Sequence, residues 1–114
     1  MILAKDKKVF IKTGFIDMRK QINGLSEIAQ ASMPEPPLSG AYFVFCGKTR
    51  RVMKILYWDA TGFCLWQKRL EADSFPWPAA DEVPSEVTRA QLKAVLRGID
   101  IFAAHKRLAY SSVA

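Results

Sequence analysis

Phe43–Pro78 reads FVFCGKTRRVMKILYWDATGFCLWQKRLEADSFPWP, and this stretch decides the fold. Ala41–Cys46, Val52–Trp58 and Phe63–Leu70 are rich in β-branched and aromatic residues. Such runs, bounded by turn residues, predict strands. Gly47-Lys48-Thr49-Arg50-Arg51 supplies the first turn and Asp59-Ala60-Thr61-Gly62 the second. Consecutive strands joined by short turns predict an antiparallel meander. If Asp59 faces Gly62, Trp58 lies opposite Phe63 and Ile55 opposite Trp66. A bulge at Gly62 would slip that register by one residue, and the sequence leaves both open.

Working outward, Val9-Phe10-Ile11 predicts a first strand ending at Thr13-Gly14. Met18, Ile22, Leu25 and Ala29 recur near helical spacing, with Asp17 placed to cap a turn or a helix start. Asn23-Gly24 interrupts the pattern, since an internal Gly costs about 1 kcal/mol relative to Ala. Either one helix tolerates that weak point, or a turn at Asp17–Gln21 precedes a helix starting near Gly24. Met33-Pro34-Glu35-Pro36-Pro37 ends it. Glu71–Pro84 reads as a loop. Thr88-Arg89-Ala90-Gln91 is a capping box, Leu92, Val95 and Leu96 share a helix face, and Gly98 fits the position past the helix end. The expected fold is α+β: a small, mainly antiparallel sheet of three to four strands with two helices packed on one face. Residues 1–114 are expected to form a single domain, weakly patterned after about residue 100.

The chain has 114 residues, half of them apolar, which suffices for a core. Lys plus Arg number 17 against 11 Asp plus Glu, a net charge of +6. That balance suits a polyanion partner or, equally, a solvated basic surface. Two cysteines without a secretory signal do not make a disulfide framework, so Cys46 and Cys64 read as reduced, small hydrophobes. No apolar run approaches the ~20 residues that span a bilayer. The expected address is the cytoplasm, with no membrane contact.

The catalytic motifs are weak. Asp17, Asp59 and Glu71 are the acids that a metal-dependent nuclease would need to converge. Asp17 is better explained as a helix-start residue and Asp59 as the first residue of a turn, and Glu71 sits at a strand end beside Lys68 and Arg69. His105, the only histidine, has no local nucleophile partner. Two distant cysteines and one histidine are poor zinc ligands, and no phosphate-binding glycine loop is present. No catalytic, metal or cofactor residue is therefore assigned.

The cations are more telling. Lys48, Arg50 and Arg51 crowd one turn and Lys54 lies just inside the next strand. In a meander Lys68 and Arg69 return to that end of the sheet, and Arg19 and Lys20 extend the group. Such a patch suits phosphate contacts, which position a protein without reading sequence. Arg89, unfavourable at a helix N-terminus, reads as spared for contact. Trp58, Trp66, Phe63 and Tyr57 could stack on single-stranded bases, although such residues more often fill the core of a small sheet.

Several separated pieces share one order and spacing. They are Thr13-Gly14-Phe15-Ile16-Asp17-Met18-Arg19-Lys20 with Gly24-Leu25, Ser39-Gly40 before Phe43-Val44-Phe45, Lys54-Ile55-Leu56-Tyr57-Trp58-Asp59, and Gly62-Phe63. Lys68-Arg69-Leu70-Glu71, Phe75-Pro76-Trp77-Pro78 and Gln91-Leu92 leading to Gly98-Ile99-Asp100 complete the set. The set resembles the small TnpB-type accessory protein of the insertion sequence 66 family of bacterial transposable elements. The resemblance runs from about Thr13 to Asp100 and fades in Ala79–Val87 and after Ile101. It implies a non-enzymatic role in DNA transposition beside a separate, larger transposase, and it supplies no catalytic residues. The alternatives are a protein-interaction subunit of the transposase complex that never touches DNA, and a small nucleic-acid-processing enzyme.

Overall fold

The computed structural model describes residues 3–79 and 85–102. Its strands are β1 (Val9–Ile11), β2 (Tyr42–Cys46), β3 (Val52–Asp59), β4 (Gly62–Arg69) and β5 (Glu86–Val87). Helix α1 spans Ile22–Ser32, helix α2 spans Arg89–Leu96, and a 3-10 turn covers Pro37–Ser39. One sheet runs in the order β4-β3-β2-β1-β5. The class is α+β, as the sequence predicts.

The β2–β3–β4 meander forms with the unbulged register. Asp59 pairs with Gly62, Trp58 with Phe63 and Ile55 with Trp66. The sheet exceeds the expected three to four strands because β5 adds an antiparallel edge beside β1. β1 also pairs parallel with β2, Phe10 beside Phe43. Parallel neighbours need a long crossover, and the segment carrying α1 provides it.

The helices lie on opposite faces of the sheet, not on one. Leu25 and Ala29 of α1 pack with Phe10, Phe43, Phe45 and Leu56. Leu92 and Val95 of α2 pack with Val9, Ile11, Tyr42, Val44 and Ile55 on the other side. Successive residues of a strand point to opposite faces, so the two clusters interleave along β1 and β2. This explains the continuous apolar run Tyr-Phe-Val-Phe-Cys: β2 is central, covered twice, and buried throughout. Fully burying each large apolar side chain contributes about 1.5–3 kcal/mol relative to exposure.

Between the two helix readings the structure takes the second in outline. Asp17 caps a turn: its Oδ1 accepts from Arg19 N at 2.9 Å, and its carbonyl accepts from Lys20 N at 3.1 Å. α1 then begins at Ile22, two residues before Gly24. The Thr88 capping box forms as read, with Thr88 Oγ1 accepting from Gln91 N at 3.0 Å and Gln91 Oε1 from Thr88 N at 2.8 Å. Gly98 follows α2 at φ +86°, a conformation that favours Gly.

The Phe75–Pro78 segment closes the α2 face. Phe75 is fully buried, and Trp77 Nε1 donates to the carbonyls of Lys12 (3.2 Å) and Gly14 (2.9 Å). Gly14 in turn donates its N–H to Pro78 O at 2.9 Å, at φ +76°. Arg89 also serves the fold: its Nη1 donates to Leu3 O at 3.1 Å.

Candidate nucleic-acid interface

The β2–β3 turn is built by its backbone. Gly47 N donates to Val52 O (3.2 Å) and Arg50 N to Gly47 O (2.9 Å), with Arg50 at φ +60°. The chain beyond β4 braces this turn. Leu70 N donates to Arg51 O (2.7 Å), Phe75 N to Arg50 O (2.6 Å), and Arg51 Nη1 to Glu71 O (3.2 Å). Register then places Arg69 beside Val52 and Lys68 beside Met53. Lys48, Arg50, Arg51, Lys68 and Arg69 thus meet at one end of the sheet, all exposed.

The Asp17–Lys20 segment joins the same end. Ile16 N donates to Cys46 O at 3.0 Å, and Met18 covers Gly47 so closely that a Cβ there would lie 2.5 Å from Met18 Cγ. Arg19 and Lys20 are exposed beside the turn.

Lys54 does not belong to this surface. It is 1% exposed, and its Nζ donates to Met18 O at 2.7 Å and Lys20 O at 2.8 Å. Burial pushes its pKa below the usual lysine value, and the nearby Asp17 charge opposes that shift. A lysine three positions past a basic turn looks solvent-facing in the sequence. It points instead to the α1 face, where the 17–20 turn covers it. What Lys54 does is hold that turn, and with it the backbone that carries Arg19 and Lys20.

Two acids temper the patch. Arg19 clamps Asp17 through Nε and Nη2, the shortest contact 2.7 Å, which holds the Asp17 carboxyl down at about 2. Arg69 Nη2 pairs with Glu71 Oε1 at 3.1 Å. Their signal in the sequence is the two-residue spacing Asp17–Arg19 and Arg69–Glu71. The third candidate acid, Asp59, closes the β3–β4 hairpin at the other end of β3. The three carboxylates therefore do not converge. Among the described residues, no group of three His, Cys, Asp or Glu is placed to hold a metal ion. His105 lies outside the described residues.

The aromatic residues do not interleave with the cations. Trp77 is buried in the core. Trp58 and Phe63 sit edge to face, centroids 5.1 Å apart, next to the Asp59–Gly62 turn and so at the far end of the hairpin from the basic turn. Tyr57 packs edge-on against Tyr42 at 5.2 Å with Lys7 Nζ 5.7 Å from its ring, and Trp66 packs on the α2-side core. Cys46 and Cys64 are free thiols, and burial raises the Cys46 thiol to about 12. A thiol so raised stays protonated and unreactive at neutral pH.

The family model described as IS66 Orf2 like protein matches residues 7–106. The chain belongs to the IS66 Orf2-like family. It is also 38% identical over 97 residues to the protein named Uncharacterized protein y4hO of Sinorhizobium fredii, covering 85% of this chain and 84% of that one. The same organism's Uncharacterized protein y4jC is 26% identical over 97 residues, covering 85% and 83%. No solved structure matches the chain. For an IS66 Orf2-like protein, membership points to an accessory role in transposition. The match takes in the basic turn, the 17–20 segment and the whole sheet. Among the described residues, no helix is long and apolar enough to cross a membrane.

Proposed function

We propose that this IS66 Orf2-like protein is a non-catalytic accessory subunit of DNA transposition. It acts beside the element's transposase and grips DNA phosphates with the basic end of its sheet. Lys48, Arg50, Arg51, Lys68 and Arg69 form the grip, with Arg19 and Lys20 at its margin. The observation that carries this reading is the register. Val52–Arg69 and Met53–Lys68 pairing brings cations from two separated stretches to one turn. Phosphate contact needs only clustered, accessible charge, and it carries no base information.

If about four or five phosphates are neutralised, log affinity for duplex DNA should fall with log salt at a slope near −4. Transposon-end and random duplexes should show similar slopes. Fluorescence anisotropy across a salt series measures both, and a salt-independent or absent signal would refute the grip. A second reading rests on the Arg19–Asp17 and Arg69–Glu71 pairs, which neutralise part of the patch. In that reading the surface meets the transposase without DNA. Transposase capture that survives nuclease treatment, together with no DNA binding, would favour it.

A further inference from the structure

The outer edge of the sheet supports an inference that does not depend on the DNA reading. β4 pairs with β3 from Gly62 to Arg69, and among the described residues no strand pairs with its other side. Alternate residues of such a strand direct N–H and C=O groups outward. Soluble proteins blunt long open edges with Pro, a bulge or a mid-strand charge. β4 carries none of these from Gly62 to Gln67, and it matches β3 residue for residue. The opposite edge is handled differently: β5 is two residues long and begins with a glutamate. Phe63 and Leu65 on one face of β4, and Cys64 and Trp66 on the other, are only half-buried.

We propose that β4 pairs antiparallel with β4 of a second copy of this chain, about a two-fold axis at Leu65, making one continuous sheet. The occupant follows from self-complementarity. A two-fold axis normal to the sheet keeps the faces matched. Leu65 then meets Leu65 of the second copy on the axis, and Phe63 meets Gln67. The small Cys64 faces the large Trp66, and Gly62 faces Lys68. Each Lys68–Arg69 end falls beside the neutral start of the other strand, so no like charges oppose one another. Parallel pairing would set the two basic ends side by side. Antiparallel pairing also satisfies the outward backbone groups and covers half-exposed apolar side chains on both faces at once. An isologous contact of this kind closes on itself as a dimer.

Sedimentation of the full chain at micromolar concentration should give a dimer. Leu65→Lys places two ammonium groups together on the axis. It should raise the dimer dissociation constant at least about tenfold while leaving the far-ultraviolet circular dichroism unchanged. Trp66→Cys adds a thiol opposite the native Cys64 of the second copy. Facing residues of an antiparallel pair lie about 4.5–5.5 Å apart at Cα, within disulfide reach. Mild oxidation of Trp66→Cys should therefore yield a covalent dimer, and Gln67→Cys, on the other face, should not. This cross-link reports on the edge even if Leu65→Lys fails to fold. A monomeric wild-type chain overturns the proposal, including one whose Leu65→Lys variant loses capture of the transposase. A dimer that Leu65→Lys leaves intact, or equal cross-linking of both cysteine variants, overturns it as well.

Discussion

At the scale of single residues, the charges of this chain divide by what surrounds them. Lys54 and Arg51 are three positions apart, yet one is sealed under a turn and the other is open. Lys54→Met should free the carbonyls of Met18 and Lys20 and cost about 1–3 kcal/mol, read as a lower urea midpoint. Hydrogen exchange should quicken at the 17–20 turn, because the tether that holds it is gone. Asp17 gives a pH signature. Its carboxyl titrates near 2 in the folded chain against an ordinary value of 3.8, because Arg19 binds the ionised form. A depressed carboxyl pKa means that the unfolded chain binds more protons between the two values. The contribution of Asp17 is therefore complete above about pH 4 and is lost as pH falls through 2. A carbon-detected titration of the Asp17 carboxyl should show a midpoint near 2, and Arg19→Ala should return it toward the ordinary value.

At the scale of elements, the strands read most directly from the sequence and the helices less so. The meander was legible because three apolar runs are separated by turns too short for anything but antiparallel return. α2 was legible from Thr88 and Gln91, whose reciprocal bonds form. Eight residues are too few for a stable isolated helix, so α2 depends on this cap and on Leu92 and Val95 in the core. Thr88→Ala should cost about 1 kcal/mol and Thr88→Gly a few tenths, measured as urea midpoints with unchanged slope. β5 escaped sequence reading: two residues, Glu86–Val87, carry no periodicity. The side of the sheet taken by each helix was equally hidden. It follows from the β1–α1–β2 crossover, which places α1 on the face of Phe10 and Phe43.

At the scale of the whole molecule, the basic end of the sheet and the aromatic end of the β3–β4 hairpin are separate regions. Replacing both Arg50 and Arg51 with Ala should lower the salt slope of DNA binding by about two units, since each lost phosphate contact removes nearly one. Stability should change by less than about 0.5 kcal/mol from side-chain loss, as at other exposed sites. Replacing Arg50, which sits at positive φ, by Gly should instead be neutral to favourable. Trp58→Ala should leave DNA affinity unchanged, because the basic turn lies at the other end of the hairpin. A loss of affinity on Trp58→Ala, seen by the same anisotropy titration, would restore the base-stacking reading.

By itself the sequence determined the α+β class, the β2–β3–β4 meander, the capped last helix and the family, because each rests on local pattern or ordered motifs. It narrowed the hairpin to two registers, and the one-to-one pairing of β3 with β4 selected between them. Only the tertiary structure decided where individual charges went. Lys54 and Arg51 are both cations near one turn, and nothing in their spacing says that residues 17–20 fold over one of them. That outcome depends on a contact between segments more than thirty positions apart. Burial is a property of what covers a residue, and the cover here comes from a distant part of the chain.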